Sequence, residues 1–466
     1  MDLPWPLLER LSLDPTVQEW DELASTVHAF LQEELALLGS QPVLQGEAAL
    51  SSEQDLKSFL RSLFGSGFNA AHPGFMAYIP GGGLVTSALA DWIVKTMNRY
   101  GTAHFAAPQL AELEYQVIAT FARWIGFAPG FAGVLTTGGS LANFTALVTA
   151  RRAMLPENFL SGTIYCSDQT HHSVMKAANL AGFSARNVRI VPSDADFRIE
   201  VAALKSQITA DRAAGLAPFL LVGSAGTTNT GSVDPLSELA AVAQAEGLWY
   251  HVDAAYGGAF LLTDRGRKQL AGIAEADSVT LDPHKGLFLP YGTGGILVKD
   301  RDRLIEAHEL RGAYMPDLDR AQAHLDPFSL SVELSREHRG LKVALPLMLH
   351  GEDAFAEALD EKLDLAQYAF EAMDRAGTFD MLNRPDLSTF AFRLLPTIQT
   401  DKDLGDLNRR FLDEINSAGK VYLSGTVLHD TFALRVSILS HRTHQAQIDT
   451  LLEELNRAAG YVRVKG

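Results

Sequence analysis

One lysine in the chain stands where a lysine needs a reason. In "SVTLDPHKGLFLPYGTGGILVKD" (278–300), His284 and Lys285 lie between a β-like run and a glycine-rich, apolar return. An ammonium in apolar company is costly unless it is paired, titrated or chemically consumed. Three other stretches could complete a site around it. "LTTGGSLANFTAL" (135–147) reads as strand, then Gly138–Gly139–Ser140, then helix. Backbone N–H groups at such a helix start can cradle a phosphate, although the same pattern also makes an ordinary turn. "YCSDQTHHSVMKAA" (165–178) puts Asp168, His171 and His172 just past a strand, where an imidazole either stacks on a planar group or bonds to turn backbone. "LWYHVDAAYGGAF" (248–260) places Asp253 after an apolar strand, as a helix cap or as the partner of a buried cation.

The elements that must position these residues follow from periodicity. "VQEWDELASTVHAFLQEELALL" and "SSEQDLKSFLRSLF" carry apolar residues at helical spacing, so residues 1–70 read as a helical arm. From about 130, short apolar runs alternate with amphipathic segments. The strand candidates are "AGVLTT", "GTIYCS", "VRIVPS", "PFLLVGSAG", "LWYHVDAA", "SVTLDP" and "GGILVKD". Strands that are nearly all apolar and separated by helices imply a mainly parallel sheet covered on both faces. The last follows "LPYGT" with too short a connection for a helix, and is expected to run antiparallel. Residues 71–340 form the expected large domain. In 341–466, one long helix ("LKVALPLMLHGEDAFAEALDEKLDLAQYAFEAM"), a smaller sheet and a final helix make a second α/β domain. Ligands in such sheets sit beyond the carboxyl ends of the strands.

An aspartate at one strand end, a lysine at the next and a phosphate cradle at an earlier one describe a pyridoxal phosphate site. The lysine forms the Schiff base, the aspartate keeps the pyridine nitrogen protonated, and the phosphate sits at the helix start. Composition agrees with a globular enzyme: 466 residues, 47% apolar and 20% charged. A net charge of −17 argues against nucleic acid or an anionic membrane as partner. The single cysteine, Cys166, excludes an intrachain disulfide and any multi-cysteine metal site, and no metal is expected. The N-terminus lacks a signal-peptide pattern and no apolar run reaches spanning length, so the chain reads as soluble and cytoplasmic.

With those residues in hand, the chain resembles the group II pyridoxal-phosphate decarboxylases, and among them the aromatic-L-amino-acid decarboxylases. The motifs are "HPGFMAYIP" (72–80), "AELE" (111–114), "SDQTHHSV", "GTTNTGSVDP", "HVDAAYGGAF", "DPHK" and "FALRVSILSHRT" (432–443), in the family's order. The resemblance implies an aspartate-aminotransferase-type fold (fold type I), with a seven-stranded sheet domain, a small C-terminal domain and an N-terminal helical arm. It also implies an obligate homodimer with a shared site. By position, Lys285 matches the Schiff-base lysine, His284 its neighbour, Asp253 the pyridinium partner and Ala255 the residue beneath the ring. His171 matches the stacking histidine, Gly139 and Ser140 the phosphate-binding pair, and Thr228 a cofactor-contacting threonine. Asp282 stands where aromatic-specific members commonly have a phosphate-contacting asparagine, and His172 where relatives usually have serine. Tyr314, in "RGAYMPDLDRAQAHLDPF", matches the tyrosine of a mobile loop that protonates the substrate carbon. Phe75, Tyr78, Pro80, Gly81 and Phe105, with His171, are the implied substrate contacts, and Gly81 replaces the threonine of aromatic-specific enzymes.

The expected reaction is decarboxylation of an L-amino acid, aromatic by preference, to an amine and CO₂. An acidic-amino-acid decarboxylase and a decarboxylation-linked aldehyde synthase share the motifs. An aminotransferase would share Lys285 and Asp253, but usually needs an arginine for the α-carboxylate and no tyrosine lid. A lyase of the sphingosine-phosphate type usually brings a membrane anchor, and a cofactor-free scaffold would not need every cofactor residue.

Overall fold

The computed structural model describes residues 16–45, 56–308, 325–396 and 404–465. Near the N-terminus a helix spans Val17–Leu37, started by a capping box in which Thr16 and Glu19 satisfy each other's backbone N–H. A second helix, Leu56–Phe64, is tied to it by Lys57 and Arg61 on Glu33. Strands β1 (Leu44–Gln45) and β2 (Gly67–Phe68) form a two-residue antiparallel pair beside them.

All seven expected strands form one sheet: β3 (Ala132–Thr136), β4 (Gly162–Ser167), β5 (Val188–Val191), β6 (Ala217–Ser224), β7 (Trp249–Asp253), β8 (Ser278–Leu281) and β9 (Gly294–Val298). Their order is β3-β9-β8-β7-β6-β4-β5. Only β9 runs antiparallel to its neighbours, as its short connection requires. Most of the apolar runs are continuous because the two faces of those strands feed different cores. Leu135, Tyr165, Leu221 and Leu297 enter one buried cluster, while Val134, Ile164, Cys166, Leu220, Val222 and Ile296 enter the other. Cys166 is interior, and burial pushes its thiol up to about 12, so it packs as a small apolar residue.

A second, four-stranded antiparallel sheet has the order β10-β11-β13-β12, from β10 (Phe379–Met381), β11 (Thr389–Leu394), β12 (Ser424–Leu428) and β13 (Thr431–Ser437). Helices Leu404–Ser417 and Gln445–Lys465 cover it, with Phe411, Ile448, Leu451 and Leu455 facing Phe390 and Phe392. The expected single long helix before this sheet is in fact two. Gly351, at φ 77° and ψ 158°, breaks the Gly340–Ala376 segment into two helices; Val343 before it and Phe355, Leu359 and Leu363 after it join the large sheet's core, and Leu365, Phe370 and Met373 further along the second helix join the small sheet's. No helix among the described residues is long and apolar enough to cross a membrane.

The outer edge of β3 is closed by charge rather than by another strand. Glu114 accepts the Leu135 N–H at 3.1 Å, and Arg336 and Arg339 donate to the Leu135 carbonyl at 3.1 and 3.2 Å. Arg336 also bonds Glu114 at 2.6 Å, with both side chains almost fully buried. Removing one member of such a pair strands the other's charge out of water. Glu114→Ala is therefore expected to lower the unfolding free energy by about 3 kcal/mol in urea titration, and wild-type stability would mean the pair contributes nothing.

Candidate active site

Every cofactor residue expected from the sequence lies at the carboxyl ends of the parallel strands. Lys285 sits in a short helix, Pro283–Gly286, just past β8, and its Nζ is 3.2 Å from Asp282 Oδ2. The proline opens that helix, where its missing N–H costs nothing. One strand over, Asp253 ends β7. Its Oδ2 accepts from Asn143 Nδ2 at 2.8 Å and its Oδ1 from the Ala255 N–H at 3.1 Å. The carboxylate is thus held by two donors with almost no access to water.

Helix Gly139–Met154 starts at the mouth of the same space. A Cβ on Gly139 would lie 2.9 Å from Asp282 Oδ2 and 3.2 Å from Ala255 Cβ, so a side chain there would fill the cradle. His171 lies just before helix Ser173–Leu180, with Nδ1 2.7 Å from Ser173 Oγ. Burial holds its imidazole below the usual histidine value, which keeps it neutral near pH 7. His284 is shifted the same way by burial; its Nδ1–H donates to the Thr293 carbonyl at 2.6 Å, and Nε2 stands 3.7 Å from Asp282. Gly139, Ser140, His171, Thr228, Asp253, Ala255, Asp282, His284 and Lys285 together line one cavity of about 340 Å³.

Several lining residues were not singled out in the sequence: Asn143, Ser173, Ser224, Thr227 and Tyr256. Asn143 lies four residues after Gly139, on the helix face that meets the sheet, and a polar residue in an amphipathic helix gives no sign of facing inward. Tyr256 ties the cavity wall to the small sheet, with its hydroxyl 2.9 Å from Ser388 Oγ and 3.1 Å from Thr389 Oγ1.

The expected substrate contacts other than His171 do not line this cavity. Phe75 is buried and stacked on Tyr422 at 5.6 Å, while Tyr78 and Phe105 are exposed. Pro80 is buried in the loop, and Gly81 packs on the backbone before Lys285: a Cβ there would fall 1.9 Å from the His284 carbonyl oxygen. That contact leaves room only for glycine at this position. His172 and Asp168 are exposed, and Tyr314 lies outside the described residues.

The set fits a phosphorylated planar ring. A glycine-opened helix start, several hydroxyls, the Asp253 carboxylate and the Lys285 amine line the same cavity. Residues 44–395 match the Pyridoxal-dependent decarboxylase conserved domain. The chain belongs to that family. It is a carboxy-lyase with pyridoxal 5′-phosphate as its cofactor. As a family member it is 33% identical to the aromatic-L-amino-acid decarboxylase of Bacillus atrophaeus over 89% of this chain and 87% of that one. It is 28% identical to the phenylacetaldehyde synthase of Arabidopsis thaliana over 84% and 82%. Its fold matches the crystal structure of Oryza sativa TDC with PLP and tryptamine at a TM-score of 0.90 and 24% identity, covering 98% and 100% of the two chains.

Asp282 is the feature at odds with a bound phosphate. Its Oδ1 is buried without a hydrogen-bond partner, and its charge lies at the phosphate cradle. Asp282→Asn removes a like-charge repulsion at similar volume. The variant is expected to bind pyridoxal phosphate about tenfold more tightly in equilibrium dialysis. Weaker binding would mean that the carboxylate's hold on Lys285 matters more than the repulsion.

Proposed function

We propose that the protein decarboxylates an L-amino acid with an aromatic side chain to the corresponding amine and CO₂. The observation that carries this reading is the meeting of Lys285, Asp253, His171 and the Gly139–Ser140 helix start around one cavity. The aromatic preference is supported by the names of curated relatives, including tryptophan and tyrosine decarboxylases at 29–30% identity.

Pyridoxal phosphate, when bound, supplies an electron sink for the bond pair left when the carboxylate departs. The chain's own residues supply the rest. Lys285 is the amine that would hold the cofactor. Asp253, kept by its two donors, holds a proton at the ring nitrogen. The neutral imidazole of His171 gives the cavity a flat wall, and Gly139, Ser140 and Thr228 take the phosphate. Tyr314, by its position in the family's loop, delivers the proton to the substrate carbon. Phe75, Tyr78, Pro80, Gly81 and Phe105, which lie outside the cavity, are assigned to the substrate side only by their positions in the family's motifs.

A cytoplasmic homodimer with shared sites belongs to the same reading. Exposed apolar side chains support it: Leu89, Ile93 and Met97 on helix Val85–Met97, and Met348 and Leu349 on the Gly340 helix. The likeness to a phenylacetaldehyde synthase favours aldehyde formation as the second reading.

CO₂ release screened across the standard amino acids tests the reaction. Aromatic substrates are expected to lead, and preference for glutamate or aspartate would overturn the side-chain assignment. Lys285→Ala is expected to abolish turnover and the borohydride-reducible link to cofactor; a reducible link at another lysine would displace Lys285 from its role. Tyr314→Phe is expected to keep CO₂ release while moving product from amine toward aldehyde with oxygen uptake. Amine as the sole product in air would remove Tyr314 from the protonation step.

A further inference from the structure

Asn143 uses its full hydrogen-bonding capacity, and two of its bonds reach residues that line the site, Asp253 and Ser173. Its amide nitrogen donates to Asp253 Oδ2 at 2.8 Å and to Ser173 Oγ at 2.9 Å. Its oxygen lies 2.7 Å from Thr280 Oγ1, which donates to it, and 3.1 Å from His251 Nε2. The side chain is buried at the centre of these partners. Asp253 accepts only, so the nitrogen must face it and the oxygen must face Thr280 and His251.

The rest of the network then has one consistent direction. The Asn143 oxygen can only accept, so His251 carries its proton on Nε2. Its Nδ1 accepts from Ser278 Oγ at 2.9 Å, which in turn accepts from Trp249 Nε1 at 2.8 Å. Burial pushes His251 down to about 4, so it holds that single proton. On the other branch, Ser173 Oγ accepts from Asn143 and has its own proton to give to His171 Nδ1, 2.7 Å away. The Ser173 backbone N–H also points at Nδ1, at 3.3 Å. Two donors facing Nδ1 leave the His171 proton on Nε2.

We propose that Asn143 is a positioning residue that orders both walls of the cofactor site at once. One amide hydrogen fixes the Asp253 carboxylate, and the other, through Ser173, fixes His171 as the Nε2–H tautomer. The inference rests on the proposed roles of Asp253 and His171. Its consequence is coupling: the ring-nitrogen partner and the flat wall do not adjust independently, because both hang on one planar amide. Asn143 does this without touching the reacting bond.

Nitrogen-15 NMR of histidine-labelled apoenzyme reads the tautomer directly, with His171 assigned by the signal lost in His171→Asn. Wild type is expected to show bare Nδ1 and protonated Nε2. In Asn143→Leu, of similar volume, His171 should sample both tautomers, and the holoenzyme's kcat should fall at least about tenfold with KM within about threefold. Ser173→Ala should release His171 alone, and Ser173→Thr should restore it. The combined Asn143→Leu/Ser173→Ala variant should lose less than the product of the single effects, because both cut one path. A wild-type His171 protonated on Nδ1 would overturn the proposal. So would an Asn143→Leu enzyme with unchanged tautomer and kcat. If Asn143→Leu does not fold, Ser173→Ala decides: an unchanged His171 tautomer refutes the relay, and mixed tautomers support it. The NMR readout uses no turnover, so a failure of the decarboxylase reading leaves the relay separately testable.

Discussion

A charge at the carboxyl end of a central strand has to be satisfied without water, and this protein has two such charges on adjacent strands. Asp253 on β7 and Asp282 after β8 are both buried, with Lys285 beside the second. Ion burial on this scale is tolerated only with well-placed partners. Much of the local architecture serves that need: Gly139 has no side chain, so the helix start can approach; Asn143 points inward; and Pro283 opens the turn that brings Lys285 back over the strand ends. The two apolar layers on either face of the sheet hold these groups in register, because β3, β4, β6, β7 and β9 contribute side chains to both.

The sheet was legible in the sequence because a strand buried on both faces must be mostly apolar, and short apolar-rich runs, most of them fully buried, stand out against helices with a polar face. The site was legible for the same reason, since a charged residue directly after such a run has few ordinary explanations. Lys285 and Asp253 are both of this kind. The fold type I domain with its small companion sheet followed from the order of the runs and from the family's motifs.

Other features left weaker traces. The break at Gly351 is written as glycine followed by Glu352 and Asp353, a helix end and then an acidic first turn. A long stretch at helical period on both sides masks it. β10 has only three residues, too few for any period to show. Asn143 sits in a helix whose polar positions are expected to face solvent, and only the meeting with β7 turns it inward. Phe75, Tyr78 and Phe105 show that aromatic character does not tell direction: one is buried against Tyr422, and two face outward.

The contact of Gly81 with the His284 carbonyl also bears on how this chain can change over generations. No side chain of any size fits at Gly81 while residues 284–289 keep their path, since a Cβ would meet the backbone of both His284 and Leu289. A substitution that enlarged this position would move the peptide next to Lys285 before it altered any pocket wall. Threonine at this site is reachable only after an enabling change in the 284–289 turn. The order of substitutions is therefore constrained: the 284–289 turn has to change before position 81 can.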